Sequence, residues 1–183
     1  MPAVASKETA LLVIDIQHGL FEHKSPIYNA DHLLQTINNL IDRAHQADMP
    51  VVFFQHINKG ILKKNVPGWK LHPDLKTCET DTFMEKKHGS AFQDTLLDDW
   101  LRSHGITTLI MCGLTTHGCI KATCKDGLKN GYHVFLAADA HSSYHADAAS
   151  LIEQWNTRLG QQGAVVIPAE TFLFRSEFGK SKT

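Results

Sequence analysis

The sequence reads as a three-layer α/β/α domain, a parallel sheet covered by helices on both faces. Two observations predict this. Short apolar runs of branched residues alternate along the chain with amphipathic stretches at helical spacing. The 183 residues also suit one ordinary domain with a single core, so residues 1–183 are expected to form one unit.

The elements follow in order. "ALLVIDI" (10–16) is short, branched and apolar, as a strand buried on both faces must be. "DHLLQTINNLIDRAHQAD" (31–48) begins with Asp31 as N-cap and spaces Leu33, Leu34, Ile37, Leu40, Ile41 and Ala44 along one helical face. The strand "VVFFQH" (51–56) leads into a long loop (57–79), of the kind that more often carries function than neutral sequence. Then come strand 81–86, helix 90–105 ending at Gly105, strand 107–113, a helix from about Gly118 to Lys129, strand 132–138, helix 145–160 and strand 163–168. The terminal "GKSKT" is expected to fray.

Eighteen Lys and Arg face nineteen Asp and Glu, so no strong field is available to hold nucleic acid or an anionic membrane surface. A small-molecule partner is the better expectation. "MPAVASKETA" lacks a signal-peptide pattern, and no apolar run approaches the roughly 18 residues of a membrane span, so a cytoplasmic protein is expected. The spacing of Cys78, Cys112, Cys119 and Cys124 matches neither a disulfide framework nor a CxxC motif, and the four are read as free thiols.

Ligands of open parallel sheets bind beyond the carboxyl ends of the strands. Three reactive side chains fall at that edge: Asp15, Lys86 and Cys119. Singly, each has an ordinary reading. Asp15 caps a turn, Lys86 belongs to a solvated charge run, and Cys119 packs as a small apolar residue. Together they supply a carboxylate to accept a proton, an ammonium to hold charge and a thiol to attack. Cys119 follows Gly118 at an expected helix start, where backbone N–H groups and the nearby ammonium would lower its pKa below the free-thiol value of about 8.5. Cys124 lies about 500° further round the helix and, like Cys112 on its apolar strand, is expected to pack.

Four segments in order, "LLVIDIQHGLF" (11–21), "KKHGSAF" (86–92), "GLTTHGCIKAT" (113–123) and "GYHVFLAADAHSS" (131–143), resemble the isochorismatase-like cysteine hydrolases. The resemblance covers most of the chain. It implies a Rossmann-like six-stranded sheet in the order 3-2-1-4-5-6, with the first and fourth strands adjacent at the switch point. It further implies a catalytic triad of Asp15, Lys86 and Cys119, and a cis peptide matching Leu114 to Thr115. That turn would aim the N–H groups of Thr115 and Cys119 at an oxyanion. The implied reaction is hydrolysis of a small amide or lactam through a thioester, in a homo-oligomer of two or more chains, with no cofactor.

Two alternatives stay open. Isochorismatases of the same family cleave a vinyl ether, although well-known members lack the cysteine; a catalytically silent binding protein would keep only the fold. Nicotinamidases, another branch, hold a metal through an Asp-x-His pair, but "FFQHINKG" (53–60) has His56 without the Asp. His141 and His145 are four apart, yet lack the Glu of HExxH and a third ligand; helix capping or solvent exposure is expected instead. His117 stands where many members have an acid. The loop "PGWKLHPDL" (67–75) is similar to that of a branch including streptothricin hydrolase-like proteins. Gln17, Phe21, His56 and Trp69 are candidate substrate-pocket residues, with core packing as the alternative.

Overall fold

The computed structural model describes residues 3–175; the C-terminal "GKSKT" lies outside them. Numbered in chain order, β1 (Ala3–Ala5) stands apart from the main sheet. β2 (Thr9–Ile14), β3 (Val51–His56), β4 (Thr82–Lys86), β5 (Thr108–Leu114), β6 (His133–Ser142) and β7 (Val165–Ile167) form that sheet, every pairing parallel, in the order β4-β3-β2-β5-β6-β7. The expected order 3-2-1-4-5-6 is therefore observed. β1 pairs instead with β8 (Leu173–Arg175), a two-stranded ribbon that apolar patterning does not announce because each strand is three residues long.

Alternation along β2 divides the core. Leu11 and Val13 face Leu33, Ile37, Leu40 and Ile41 of helix α2 (Ala30–Gln46), which follows the one-turn helix α1 (His18–Phe21). Ala10, Leu12 and Ile14 face the opposite layer, built by α3 (Leu97–Ser103), α4 (Lys121–Lys129) and α5 (Ala148–Gln161). Every residue of β2 is buried, as a central strand covered on both faces requires.

The boundary differences have local causes. Helix 90–105 shrinks to Leu97–Ser103 because hydroxyls claim the preceding backbone: Thr123 Oγ1 accepts from the Ala91 N–H at 3.0 Å and Thr95 Oγ1 from the Leu97 N–H at 3.2 Å. Helix 145–160 likewise starts late, after Ser143 Oγ and His145 Nδ1 have taken the N–H groups of His145 and Asp147. Helix α2 is entered from Asn29, in the left-handed region at φ 49°, rather than capped by Asp31. The expected helix at Gly118 begins as a π-helical turn (Thr116–Ile120) that breaks at Gly118, and the α-helix proper starts at Lys121.

Two features shape the carboxyl edge. Gly113 has φ 123°, and a Cβ there would lie 2.1 Å from the Ile14 carbonyl oxygen, so only glycine lets β2 and β5 close up just before Asp15. Between Met111↔Leu136 and Gly113↔His141 the partner strand advances five residues against two, which extends β6 to Ser142 and carries His141 beneath the turn after β5. The long loop meanwhile folds back along residues 16–18, donating His72 N–H to Ile16 O and accepting His18 N–H at Lys70 O, both at 2.9 Å.

Candidate active site

Three strand ends converge on one buried ion pair. Asp15 leaves β2 with φ 52°, a conformation that an Asp tolerates better than a branched residue, and its N–H donates to Phe54 O at 3.1 Å. Lys86, the last residue of β4, places Nζ 2.7 Å from Asp15 Oδ2, with both side chains almost wholly buried. The ammonium also donates to His88 O at 3.1 Å, His56 Nδ1 at 3.2 Å and Gly89 O at 3.4 Å, so its three protons are shared among four acceptors. Cys119, a carboxylate oxygen of Asp15 and a ring nitrogen of His56 lie within 4.8 Å of one another. Asp15 Oδ1 is buried without a hydrogen-bond partner, the one acceptor of the pair left over for an incoming proton.

Burial governs the charge states. It raises the Asp15 carboxyl above its ordinary value, opposed by the Lys86 charge. It lowers His56, with the Lys86 ammonium adding to the effect, so the ring is neutral and Nδ1 accepts the ammonium proton. The expected low thiol pKa is corrected. Burial first, then the neighbouring Asp15 carboxylate, pushes Cys119 up to about 12, and Lys86 only partly offsets them. The helix-start argument fails locally because Cys119 sits in the π-helical turn, before the α-helix begins.

The turn carrying Cys119 contains a cis peptide between Leu114 and Thr115. It is braced from below. Thr116 Oγ1 donates to Ser142 O at 3.0 Å and lies 2.9 Å from His141 Nδ1, while His141 Nε2 lies 2.8 Å from Asn156 Oδ1. His141 is thus neither a cap nor solvent-exposed but a buried histidine with a polar neighbour close to each ring nitrogen, lowered to about 4 by desolvation. His145 is exposed and accepts the Asp147 N–H. Thr116 and Asn156 were not legible as site residues, since their partners lie 25 and 15 positions away.

The candidate pocket residues separate. Gln17 is fully buried and spends its amide on backbone, donating to His56 O at 3.0 Å and Trp69 O at 2.7 Å while accepting the His56 N–H at 2.8 Å. It positions the strand end and the long loop instead of facing a ligand. Phe21 packs on His72 with ring centroids 4.5 Å apart. Trp69 keeps its indole N–H buried and unpartnered. His117 stands at the rim, its Nδ1 3.3 Å from Ser143 Oγ, and partial burial with His145 nearby lowers it. Cys112 and Cys124 are buried in the core, Cys124 against Met111. A cleft of about 570 Å³ beside α2, near Ala169 and Glu170, is lined by no cysteine and stands apart from this chemistry.

The metal of the nicotinamidase branch does not fit these residues. Phe54, fully buried in the apolar core, stands where the first ligand of that pair would be. The remaining donors, Asp15 and His56, already share the Lys86 ammonium, which is itself a cation held between them.

Residues 9–171 match the Isochorismatase domain. Streptothricin hydrolase of Streptomyces noursei is 32% identical over 142 residues, 76% of this chain but 56% of that protein, so the chain spans little more than half of that relative. Nicotinamidase 3 of Arabidopsis thaliana is 28% identical over 158 residues, 78% of this chain and 77% of that protein. A crystal structure of an isochorismatase family protein superposes with a TM-score of 0.83 at 28% identity, covering 88% of this chain and 99% of the other.

Proposed function

The chain belongs to the isochorismatase family of hydrolases, and on that premise we propose that it is a cysteine-dependent enzyme cleaving the C–N bond of a small amide or lactam. The observation that carries this is the buried Asp15–Lys86 pair beside the Cys119 thiol. A relative that is a nicotinamidase by name supports the amide, and the cysteine at 119 supports a covalent route.

The geometry supports the following chemistry. With the thiol held up to about 12, little thiolate exists at rest, so Asp15 Oδ1 takes the proton as sulfur attacks the carbonyl carbon. Lys86 stabilises the negative charge passing between sulfur and carboxylate. The carbonyl oxygen becomes an oxyanion that accepts from the N–H groups of Thr115 and Cys119. Burial favours a protonated Asp15, which returns its proton to the departing nitrogen as the C–N bond breaks. A thioester remains. Asp15 then draws a proton from water, hydroxide adds to the thioester, and the sulfur leaves with that proton, giving acid and free thiol. His56 and Gln17 act at one remove, holding Lys86 and the loop. Assembly as a homo-oligomer belongs to the same reading.

A panel of small amides and lactams, followed by ammonia or amine release, tests this with Cys119→Ala as control. The variant is expected to fold and to lose more than about ten-thousandfold in rate, beyond the roughly 10²- to 10⁴-fold that a single general acid or base contributes. A Cys119→Ala protein that turns over its substrate normally overturns the thiol mechanism.

A further inference from the structure

A second cluster of reactive side chains lies at the opposite end of the sheet. β4 runs from it to the active site: Asp81 precedes its first residue and Lys86 is its last, a separation of about 16 Å at the usual strand rise. His45, in the last turn of α2, meets Cys78 and Asp81 from the loop ahead of β4. Cys78 and Asp81 close a turn, Asp81 N–H donating to Cys78 O at 3.2 Å and Cys78 N–H to Asp81 Oδ2 at 2.7 Å. That second bond fixes the carboxylate and leaves Oδ1 facing His45.

The donors converge in an informative way. His45 Nε2 lies 2.8 Å from Asp81 Oδ1 and 3.4 Å from Cys78 Sγ. A Cys–His–acid nucleophile needs thiol and carboxylate on opposite ring nitrogens. Here both meet the same nitrogen, so no proton relay is possible. Convergence on one point is instead what a metal requires. A tetrahedral zinc with ordinary bond lengths separates S from N by about 3.5 Å and N from O by about 3.3 Å, within about half an ångström of the arrangement present.

We propose that His45, Cys78 and Asp81 form a zinc site with three protein ligands and one position open to water. Charge balances: the thiolate and carboxylate offset the dication, binding releases the thiol proton, and the imidazole presents Nε2 with its proton on Nδ1. Thr80 Oγ1, 3.0 Å from the sulfur, donates to the thiolate. The Asp81 side chain is almost wholly buried and Cys78 partly exposed, so the ion has both a fixed wall and an entry path. The ion would tie the end of α2 to the start of β4, joining residues 45 and 78 through a closed loop.

Metal-free protein titrated with Co²⁺ tests the site. One ion per chain is expected, with a thiolate-to-cobalt charge-transfer band that Zn²⁺ abolishes by displacement and that persists in Cys119→Ser. The band disappears in Cys78→Ser. His45→Gln, which keeps the thiol, weakens Co²⁺ binding by more than the roughly 10- to 100-fold that loss of a ligand's outer hydrogen-bond partner costs. Zn²⁺ raises the Tm of the parent and of Cys119→Ser but not of Cys78→Ser. No band in the parent protein, or a band that survives Cys78→Ser, overturns the proposal, as does full-strength binding by His45→Gln should Cys78→Ser fail to fold.

Discussion

Cys119 and Asp15 hold each other in opposite states: the carboxylate proposed to take the thiol proton is also one reason the thiol keeps it. This yields a prediction with two arms. Asp15→Asn removes the nearby negative charge and frees the Lys86 ammonium to act on sulfur alone. Alkylation of Cys119 by iodoacetamide at neutral pH is expected to speed up at least about tenfold, one pKa unit of thiolate, while amide turnover falls to background. Slower alkylation in Asp15→Asn would remove the carboxylate from its place as the restraining charge. In the parent protein, alkylation should keep rising beyond pH 9, since the thiol is pushed up to about 12. Preformed thiolate is therefore not what the site stores. It presents an acceptor oxygen and a fixed cation, both buried.

Gly113 decides whether β2 and β5 can bring these residues together. Gly113→Ala places a methyl group 2.1 Å from Ile14 O at a φ of 123°, and two strands must part or the turn must rebuild. A loss of more than about 3 kcal/mol of stability is expected, read as a lowered denaturant midpoint or as insoluble protein. An unchanged midpoint would mean that the close approach is dispensable. The same edge shows what a sequence can and cannot reveal. Asp15, Lys86 and Cys119 stand out because each closes an apolar run or opens a turn at a predictable end of the sheet. His56 as the partner of Lys86, and Thr116 with His141 and Asn156 as the brace, are invisible because each role exists only through a residue far along the chain. The late starts of α3 and α5 escape for another reason: local hydroxyl and imidazole bonds override helical spacing.

The order of the six strands was legible because the alternation of runs fixes parallel pairing and the resemblance supplies the order; the β1–β8 ribbon was not, its strands being too short to pattern. Four histidines, His56, His72, His117 and His141, are all lowered, chiefly by burial. A base lowered in the folded state is protonated more readily when unfolded, so its contribution is full above pH 6.5 and shrinks as pH falls toward the folded value. For His141, lowered to about 4, the loss reaches about 3 kcal/mol across that window. Asp15, raised, acts in the opposite sense and stabilises the fold slightly as it gains its proton. Urea midpoints are expected to drop between pH 7 and pH 5, and to drop less in His141→Gln. An equal drop in both proteins would remove His141 from the account. The buried Asp15–Lys86 pair has one more consequence. It places one negative and one positive charge beside Cys119, so a reactant with a formal charge beside its reacting carbonyl would find no counter-ion left for it in that buried pair. On the proposed mechanism the pair would thereby favour electroneutral reactants, with any ionised group held away from the reacting carbonyl.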